Sequence, residues 1–215
     1  MNKNILNRYE FLSFDFTLKH EIIEDIDAYN DSYYKKFSSQ IMLNTIDENH
    51  ETKKQYNLGF VEIWHIDGAR AIDDGLDIVD ICDSHEQELY EYVSAIYEDG
   101  FIDCKLVEMP RSNDILVLHR IEIVKKYQGR RYGILISQNL IKHFGYNCGA
   151  ILIRPAPLQF SDISKNSDWK ERYFSEKFSM HKEESTKKLL NYWKKIDKKI
   201  EKSNMNDILY IPQDS

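Results

Sequence analysis

The chain has 215 residues, enough for one domain with its own hydrophobic core. Hydrophobic residues make up 42% and aromatic residues 13% of the sequence, which excludes the composition of a disordered chain. The net charge is −7, but residues 1–110 carry 9 Lys and Arg against 24 Asp and Glu, whereas residues 111–215 carry 20 against 12. An acidic half and a basic half could bind two partners of opposite charge. The alternative is that the charges are solvated surface residues that happen to be unevenly distributed.

Several classes of protein and site are not expected from this sequence. No segment reaches the roughly 18 consecutive apolar residues of a membrane helix, and charged residues from Arg8 onward precede any signal-peptide core. The three cysteines form no CxxC pair, so we expect reduced thiols and a cytoplasmic location. The seven histidines show no ligand spacing, so we expect no metal.

The first half is predicted to mix strands and helices. Residues 11–18 (FLSFDFTL) alternate closely enough to form a strand, and helical spacing in residues 21–37 favours one or two short helices. Residues 39–46 and 56–66 are predicted to be antiparallel strands joined by a polar connection. Apolar residues over 76–98 recur at helical intervals, with carboxylates along a solvated stripe.

The second half contains a β-turn-α-β unit. Residues 115–124 (ILVLHRIEIV) are predicted to be a buried strand, residues 125–133 a glycine-bearing turn, residues 132–145 a helix ending at glycine, and residues 148–160 a second strand. Strands connected through a helix in this way are expected to be parallel. We therefore predict a mixed α/β fold, mostly antiparallel with a central parallel pair, flanked by helices.

The C-terminal part is predicted to hold a further helix and a last strand. Residues 161–184 are read as loop plus helix, and from Ser185 an apolar helix face extends to Ile200 opposite solvated lysines. The final NDILYIP segment is predicted to be a strand. A nucleic-acid-binding role for the lysine-rich helix is disfavoured, because the pI is near 5.5 and no nucleic-acid-binding motif is present.

The turn KKYQGRRYG has the features of a phosphate site. A strand ends, the chain turns through Gly129, and a helix opens near Arg131–Gly133, where free N–H groups and the helix dipole attract anions. Arg130 and Arg131 add positive charge. Gly133 and Ser137, four residues apart, have small side chains that allow close approach to one face of the helix. A tight turn with two exposed arginines is the alternative reading.

The segment RIEIVKKYQGRRYGILISQNLIKHFG resembles the acetyl-CoA-binding signature of the GNAT superfamily of N-acyltransferases, a hydrophobic strand followed by Arg/Gln-x-x-Gly-x-Gly/Ala. Gln128 takes the first motif position and Gly133 the last, while Arg131 replaces the central glycine. The RPAPLQF run is similar to a Pro-x-Pro-Leu-Gln-Phe segment in a bacterial subset of that superfamily. The resemblance covers residues 115–160 and implies one GNAT-like domain over residues 1–215.

The resemblance implies a splayed parallel strand pair that holds acetyl-CoA as a co-substrate and transfers its acetyl group by direct attack in a ternary complex. Ile121 and Ile123 would flank the thioester, with a main-chain N–H near Ile123 facing its carbonyl oxygen. The turn would hold the pyrophosphate through Gln128, Gly129, Arg130, Arg131, Tyr132 and Gly133. Arg131 would obstruct the pyrophosphate or pair with it, and pairing is favoured because a guanidinium forms two parallel bonds to phosphate oxygens.

Acyl transfer to an amine needs a base and an acid. Glu122 is the candidate base, being the only carboxylate between Asp114 and Asp162, although pairing with Arg120 is the structural alternative. The resemblance aligns the tyrosine that protonates the departing thiolate in this superfamily with Trp193. A tryptophan cannot donate that proton, so the preceding Tyr192 is the candidate acid. Trp193 itself is predicted to lie in the core.

His119 is predicted to be a satisfied interior residue and His143 an exposed one. The acceptor is an amine of a small molecule or peptide, and the acidic first half suggests a cationic one such as a polyamine, an aminoglycoside or a lysine side chain. Residues 161–184 are a candidate insertion, either a lid over the acceptor site or a contact of a homodimer. A catalytically inactive GNAT-fold module that binds CoA or a protein partner is the competing function.

Overall fold

The structure is a computed structural model and describes residues 10–19, 33–48, 51–205 and 207–214. Its main element is an eight-stranded sheet in the order β1-β3-β4-β7-β8-β10-β9, with β2 also paired to β3. The strands are β1 (Glu10–Phe14), β2 (Thr17–Lys19), β3 (Tyr34–Ile46), β4 (Thr52–Ile66), β5 (Tyr97–Glu98), β6 (Phe101–Ile102), β7 (Ile115–Ile123), β8 (Ala150–Ile153), β9 (Glu201–Lys202) and β10 (Leu209–Pro212). β5 and β6 form a separate two-stranded sheet.

Six α-helices flank the sheet in the described ranges. They are α1 (Gly68–Asp73), α2 (Ile78–His85), α3 (Gln87–Val93), α4 (Tyr132–Phe144), α5 (Ser167–Tyr173) and α6 (Lys182–Trp193). Short 3₁₀ turns span Lys125–Tyr127, Leu158–Phe160 and Asp162–Lys165. None of these helices has the length and apolar character that crossing a membrane requires.

The predicted fold class is confirmed. β7 and β8 are paired in parallel, and every other strand pair that the structure describes is antiparallel. The parallel pair lies in the middle of the sheet, and α4 connects its two strands as the sequence pattern predicts.

The two faces of the sheet carry separate hydrophobic cores, because side chains alternate across each strand. On one face Val117 packs with Trp64 and with buried residues of α1–α3. On the other face Leu116 packs with Ile136 of α4 and with Trp193 at the end of α6. Every residue of β7 from Ile115 to Leu118 is buried, as expected of a strand covered on both sides.

Several sequence predictions for the first half are wrong in detail. Residues 34–37 belong to β3 rather than to a helix, and the rest of the predicted helical segment up to residue 32 lies outside the described residues. The strand predicted over residues 11–18 is broken between β1 and β2. The single helix predicted over residues 76–98 is divided into α2 and α3, because Glu86 between them takes an extended backbone with φ −155°.

The second half also departs from its predicted boundaries. β8 ends at Ile153, well before Phe160, because two prolines follow and cannot donate to a ladder. α6 ends at Trp193, earlier than predicted, although Ile196 and Ile200 beyond it are still buried. The last strand is confirmed as β10, which pairs with β8.

Candidate functional site

The parallel strands β7 and β8 separate in the middle of the sheet. Their ladder ends at the pair Leu118–Ile153. β7 continues to Ile123 and stays paired with β4 on its other edge, whereas Pro155 soon follows β8 and has no N–H to donate. The β8-side edge of β7 therefore opens into a gap from His119 onward.

A β-bulge in β7 lies at the opening of this gap. The register with β4 shifts beyond Glu62, which is opposite Arg120, so that two β7 residues stand opposite a single β4 residue. The ring of His119 stacks on Trp64 with centroids 3.9 Å apart, and the guanidinium of Arg120 lies over the ring of Phe60. Phe60 and Trp64 share a face of β4, so the bulge turns two consecutive β7 side chains to that face.

The gap opens into a cavity of about 370 Å³. This volume lies in the range of small-molecule sites in proteins. The cavity is walled by the end of β7, the connection after β8, α5 and α6. Residues on these walls include Ile121, Ile123, Trp169, Tyr173, Leu189 and Tyr192.

The backbone of β7 presents peptide groups to the gap. The N–H of Val124 donates to the carbonyl oxygen of Leu58 on β4 at 2.9 Å. Peptide groups alternate between the two edges of a strand, so those of Ile121 and Ile123 point to the opposite edge, where the β8 ladder has already ended. The sequence analysis assigned the thioester to this stretch of backbone.

Glu122 is the buried carboxylate of the cavity, with only 2% of its side chain exposed. The Nε of Arg120 donates to Oε1 of Glu122, which is the pairing that the sequence analysis gave as the structural alternative. Within the described residues Oε2 has no hydrogen-bond partner. One carboxylate oxygen is therefore paired with a cation, and the other remains available as an acceptor.

Tyr192 lines the cavity from α6 and reaches the start of α4. Its hydroxyl oxygen lies where a Cβ on Gly133 would overlap it, beside the backbone of Ile134 in the first turn of α4. Burial raises the pKa of Tyr192 to about 12, so the hydroxyl is protonated at neutral pH. Trp193, 9% exposed, packs in the core beside α4, as predicted.

The turn between β7 and α4 is built on left-handed backbone conformations. Gly129 has φ 80° and Arg131 has φ 65°. Arg131 is the N-cap residue of α4 and makes no capping bond with its side chain. A Cβ at Gly129 would meet no atom within 4 Å, so the outer side of the turn is open, and both Arg130 and Arg131 are exposed.

Gln128 ties this turn to α5. Its Nε2 donates to the carbonyl oxygen of Ile123 at 2.9 Å and to that of Tyr173 at 2.8 Å. The side chain therefore joins the end of α5 to the end of β7. Sequence reasoning assigned Gln128 a pyrophosphate contact through its backbone and did not predict this side-chain role.

Five predicted site residues line the same cavity, and five do not. Ile121, Glu122, Ile123, Gln128 and Tyr192 line the cavity. The remaining five form the adjoining turn and the first turn of α4, namely Gly129, Arg130, Arg131, Tyr132 and Gly133. Tyr132 is only 5% exposed and packs in the core.

Sequence reasoning missed the aromatic wall that α5 contributes. Trp169 and Tyr173 are both buried, with ring centroids 6.2 Å apart, and both line the cavity. Their four-residue separation within a polar segment is the signal that would have found them, since residues four apart share one helix face. Part of residues 161–184 thus covers the cavity.

His119 is wrongly predicted to be a satisfied interior residue. Its Nδ1 is buried and has no hydrogen-bond partner among the described residues. Burial, with the positive charges of Lys36 and Arg120 nearby, lowers the pKa of His119 to about 4. The imidazole is therefore neutral at physiological pH and lines the cavity beside Arg120.

Several residues that line the cavity have a buried polar atom without a hydrogen-bond partner among the described residues. Five such atoms in the described part of the chain belong to cavity-lining residues: His119 Nδ1, Glu122 Oε2, Gln128 Oε1, Arg154 Nε and Trp169 Nε1. An unpartnered buried polar atom costs about 1–3 kcal/mol. Donors and acceptors gathered in this way suit a ligand that carries both kinds of group.

Comparisons with protein-family models, with curated proteins and with solved structures return no match to this chain. Among the described residues, no three His, Cys, Asp or Glu side chains are grouped so as to hold a metal ion.

Proposed function

We propose that the protein is an N-acyltransferase that moves an acetyl group from acetyl-CoA to an amine. The observation that carries the proposal is the separation of β7 from β8 after Leu118–Ile153, with a cavity in the gap. The superfamily that the sequence resembles uses such a gap for the pantetheine arm of CoA.

The residues around the gap fit a ligand with amide groups. The peptide groups of Ile121 and the N–H of Ile123 point into the gap, where the arm of CoA would pair with them, whereas the carbonyl oxygen of Ile123 already accepts from Gln128. Among the described residues, the indole N–H of Trp169 is a donor without a partner, and Oε1 of Gln128 is an acceptor without one. Amides supply one donor and one acceptor each, and would satisfy both kinds of atom.

The turn before α4 is the proposed site of the phosphates. The helix start offers backbone N–H groups and the positive end of the helix dipole. Arg130 and Arg131 add two exposed positive charges beside it. The hydroxyl of Tyr192 lies against Gly133 in the first turn of α4, so the N–H groups nearer to Gly129 are the ones proposed to meet an anion.

Acetyl-CoA supplies an activated acyl group, because its thioester C–S bond breaks as the amine forms a C–N bond. The neutral amine must give up one proton, and the sulfur must leave as a thiol. Glu122 is the proposed proton acceptor through Oε2, with Arg120 fixing its other oxygen. Tyr192, protonated at neutral pH, is the proposed proton donor to sulfur.

Calorimetric titration with acetyl-CoA tests the binding step, and thiol release in the presence of amines tests turnover. Leu189→Trp places a large ring on the cavity wall and is expected to weaken acetyl-CoA binding at least about tenfold, or 1.4 kcal/mol. Lys187→Trp introduces the same ring at an exposed position of α6 and is the matched control. Equal affinity of the two variants would place the ligand elsewhere.

A second candidate function is a GNAT-fold module that binds CoA or a protein partner without turnover. The ion pair between Arg120 and Glu122 favours it, because it occupies a group that catalysis would use. Acetyl-CoA binding without thiol release on a broad amine panel would support this alternative.

A cytoplasmic location belongs to the same proposal. Acetyl-CoA is the assumed co-substrate, and all three cysteines are free thiols in the structure.

A further inference from the structure

A group of acidic side chains lies beside the bulge of β7, on the face covered by α2 and α3. We call it the acidic patch and define it as Glu62, Glu86, Glu88 and Glu91. The stacked rings of Trp64 and His119 lie among these carboxylates. All four carboxylates are partly exposed, with between 23% and 41% of their side chains accessible to solvent.

The carboxylates of the acidic patch differ in their ion pairs. Lys36 pairs with Glu86, and Arg154 pairs with both Glu88 and Glu91. Glu62 receives a hydrogen bond from the indole N–H of Trp64 at 2.9 Å, but no Lys or Arg forms an ion pair with it in the described part of the chain. The negative charge of Glu62 is therefore not balanced by a Lys or Arg of the described residues.

His119 does not supply the missing charge. Its ring nitrogens lie 3.5 Å from Glu62 and 3.7 Å from Glu88, close enough for ion pairs only if the ring is protonated. The lowered pKa keeps it neutral near pH 7. Among the described residues, Glu62 thus has no cationic partner at neutral pH, and its negative charge is the surplus charge of the patch.

Like charges are crowded around Glu88. Burial raises the pKa of Glu88, and the carboxylates of Glu86 and Glu91 raise it further, against the opposing effect of Arg154. A cation placed among these carboxylates would relieve the repulsion between them.

The acidic patch also contains a buried hydroxyl without a partner. Tyr92 is fully buried, and Oη has no hydrogen-bond partner among the described residues. The guanidinium of Arg154 lies 4.9 Å from the centroid of the Tyr92 ring, and the ring packs edge-on against Trp64, which places Tyr92 beside the patch. Its hydroxyl is a buried polar atom that is independent of the carboxylates.

The patch and the cavity share a wall. His119 and Arg154 line the cavity and also contact the carboxylates of the patch. The patch and the cavity are therefore adjacent, within the reach of a short alkyl chain.

We infer that the acetyl acceptor is a linear diamine or polyamine, with one ammonium held by the acidic patch at Glu62 and Glu88 and another amine directed into the cavity. This inference rests on the proposed acyl transfer for its chemistry, but its binding step does not require acetyl-CoA.

Calorimetry of the full chain with three four-carbon amines tests the inference near neutral pH. Putrescine carries two ammonium groups, butylamine one, and γ-aminobutyrate one ammonium and one carboxylate. Putrescine is expected to bind about tenfold or more tightly than butylamine, and γ-aminobutyrate most weakly, because its carboxylate meets the surplus negative charge. Equal affinities for the three amines would overturn the inference.

Conservative variants locate the binding site. Glu62→Gln keeps an acceptor for the N–H of Trp64 and is expected to weaken putrescine binding about tenfold, and Glu88→Gln is expected to act in the same direction. Glu108→Gln removes one exposed carboxylate from the connection before β7 and is the matched control. Unchanged putrescine affinity in both patch variants, with native circular dichroism, would overturn the assignment.

Titration with acetyl-CoA separates this inference from the proposed function. Acetyl-CoA binding without putrescine binding would sink the acceptor inference and leave the proposed function standing. Putrescine binding that depends on Glu62, without acetyl-CoA binding, would support the cation site and sink the proposed acyl transfer.

Discussion

The hydroxyl of Tyr192 lies against Cα of Gly133, so that α6 contacts the first turn of α4 at a position where any Cβ would overlap the oxygen. Sequence reasoning assigned the small residue at this position to the approach of a phosphate. In the structure the close approach is made by a side chain that also lines the cavity.

This contact predicts strong coupling between residues 133 and 192. Gly133→Ala is expected to lower the free energy of unfolding by about 1–3 kcal/mol, because the new methyl group is forced against the hydroxyl. In a Tyr192→Phe background the same change is expected to cost much less, since the overlapping oxygen is gone. Denaturant unfolding of the four proteins in the double-mutant cycle measures the coupling, and additive effects would contradict the contact.

Glu122→Gln tests the proposed base. The variant keeps the size of the side chain but cannot accept a proton, so the acetyl-transfer rate is expected to fall about 100-fold or more. Acetyl-CoA affinity is expected to change little, because the proposed role concerns the amine proton. Steady-state thiol release with calorimetry measures both quantities, and Glu201→Gln at an exposed position is the control. Unchanged turnover would remove Glu122 from the mechanism.

The central part of the fold could be predicted because its signals are local. β-branched residues over 115–123, a glycine turn and helical spacing over 132–144 predict strand, turn and helix without knowledge of the partners. The division between α2 and α3 could not be predicted, since Glu86 is extended although apolar spacing continues across it. The segment at residues 34–37 was misassigned because pairing with β4 decides its conformation.

The candidate site could be predicted only where its residues are close together in the sequence. Glu122 and Gln128 lie within the β7–turn–α4 unit, and their place beside the gap follows from its order. The acidic patch joins Glu62 of β4 to Glu88 of α3 through His119, and no sequence spacing relates these residues. The surplus of acidic residues in the first half was visible in the sequence, but its concentration beside the cavity depends on how the sheet and helices pack.

Gln128 is expected to act as a positioning residue for α5. Gln128→Glu replaces the donor nitrogen with a carboxylate oxygen facing the carbonyl oxygens of Ile123 and Tyr173, and Gln128→Met removes both hydrogen bonds at similar size. We expect faster amide hydrogen exchange in α5 for both variants, with the larger effect for Glu because its charge repels the carbonyls. Gln138→Met, which changes a glutamine on α4, is the control; equal exchange in α5 for all proteins would contradict the role.

Arg131 is expected to pair with the phosphates of CoA. Arg131→Gly is expected to weaken acetyl-CoA binding about tenfold, and Arg131→Lys by less, because a lysine keeps the charge and loses the bidentate geometry. Stability is expected to change by less than about 1 kcal/mol, since glycine removes the cost of a left-handed residue and adds chain entropy to the unfolded state. Calorimetry measures the affinity, with Lys187→Gln as the control for one lost charge; tighter binding by Arg131→Gly would show obstruction.

The lowered pKa of His119 predicts that the free energy of unfolding decreases as the pH falls. Its folded pKa of about 4 lies below its ordinary value of 6.5, so between these two pH values the unfolded chain binds more protons than the folded protein. This contribution to stability is complete above the unfolded pKa and decreases as the pH falls, by about 3 kcal/mol at most. Denaturant unfolding of wild type and His119→Gln across this range measures the difference. Parallel stability profiles would contradict the prediction, because glutamine does not titrate and the variant lacks the His119 contribution.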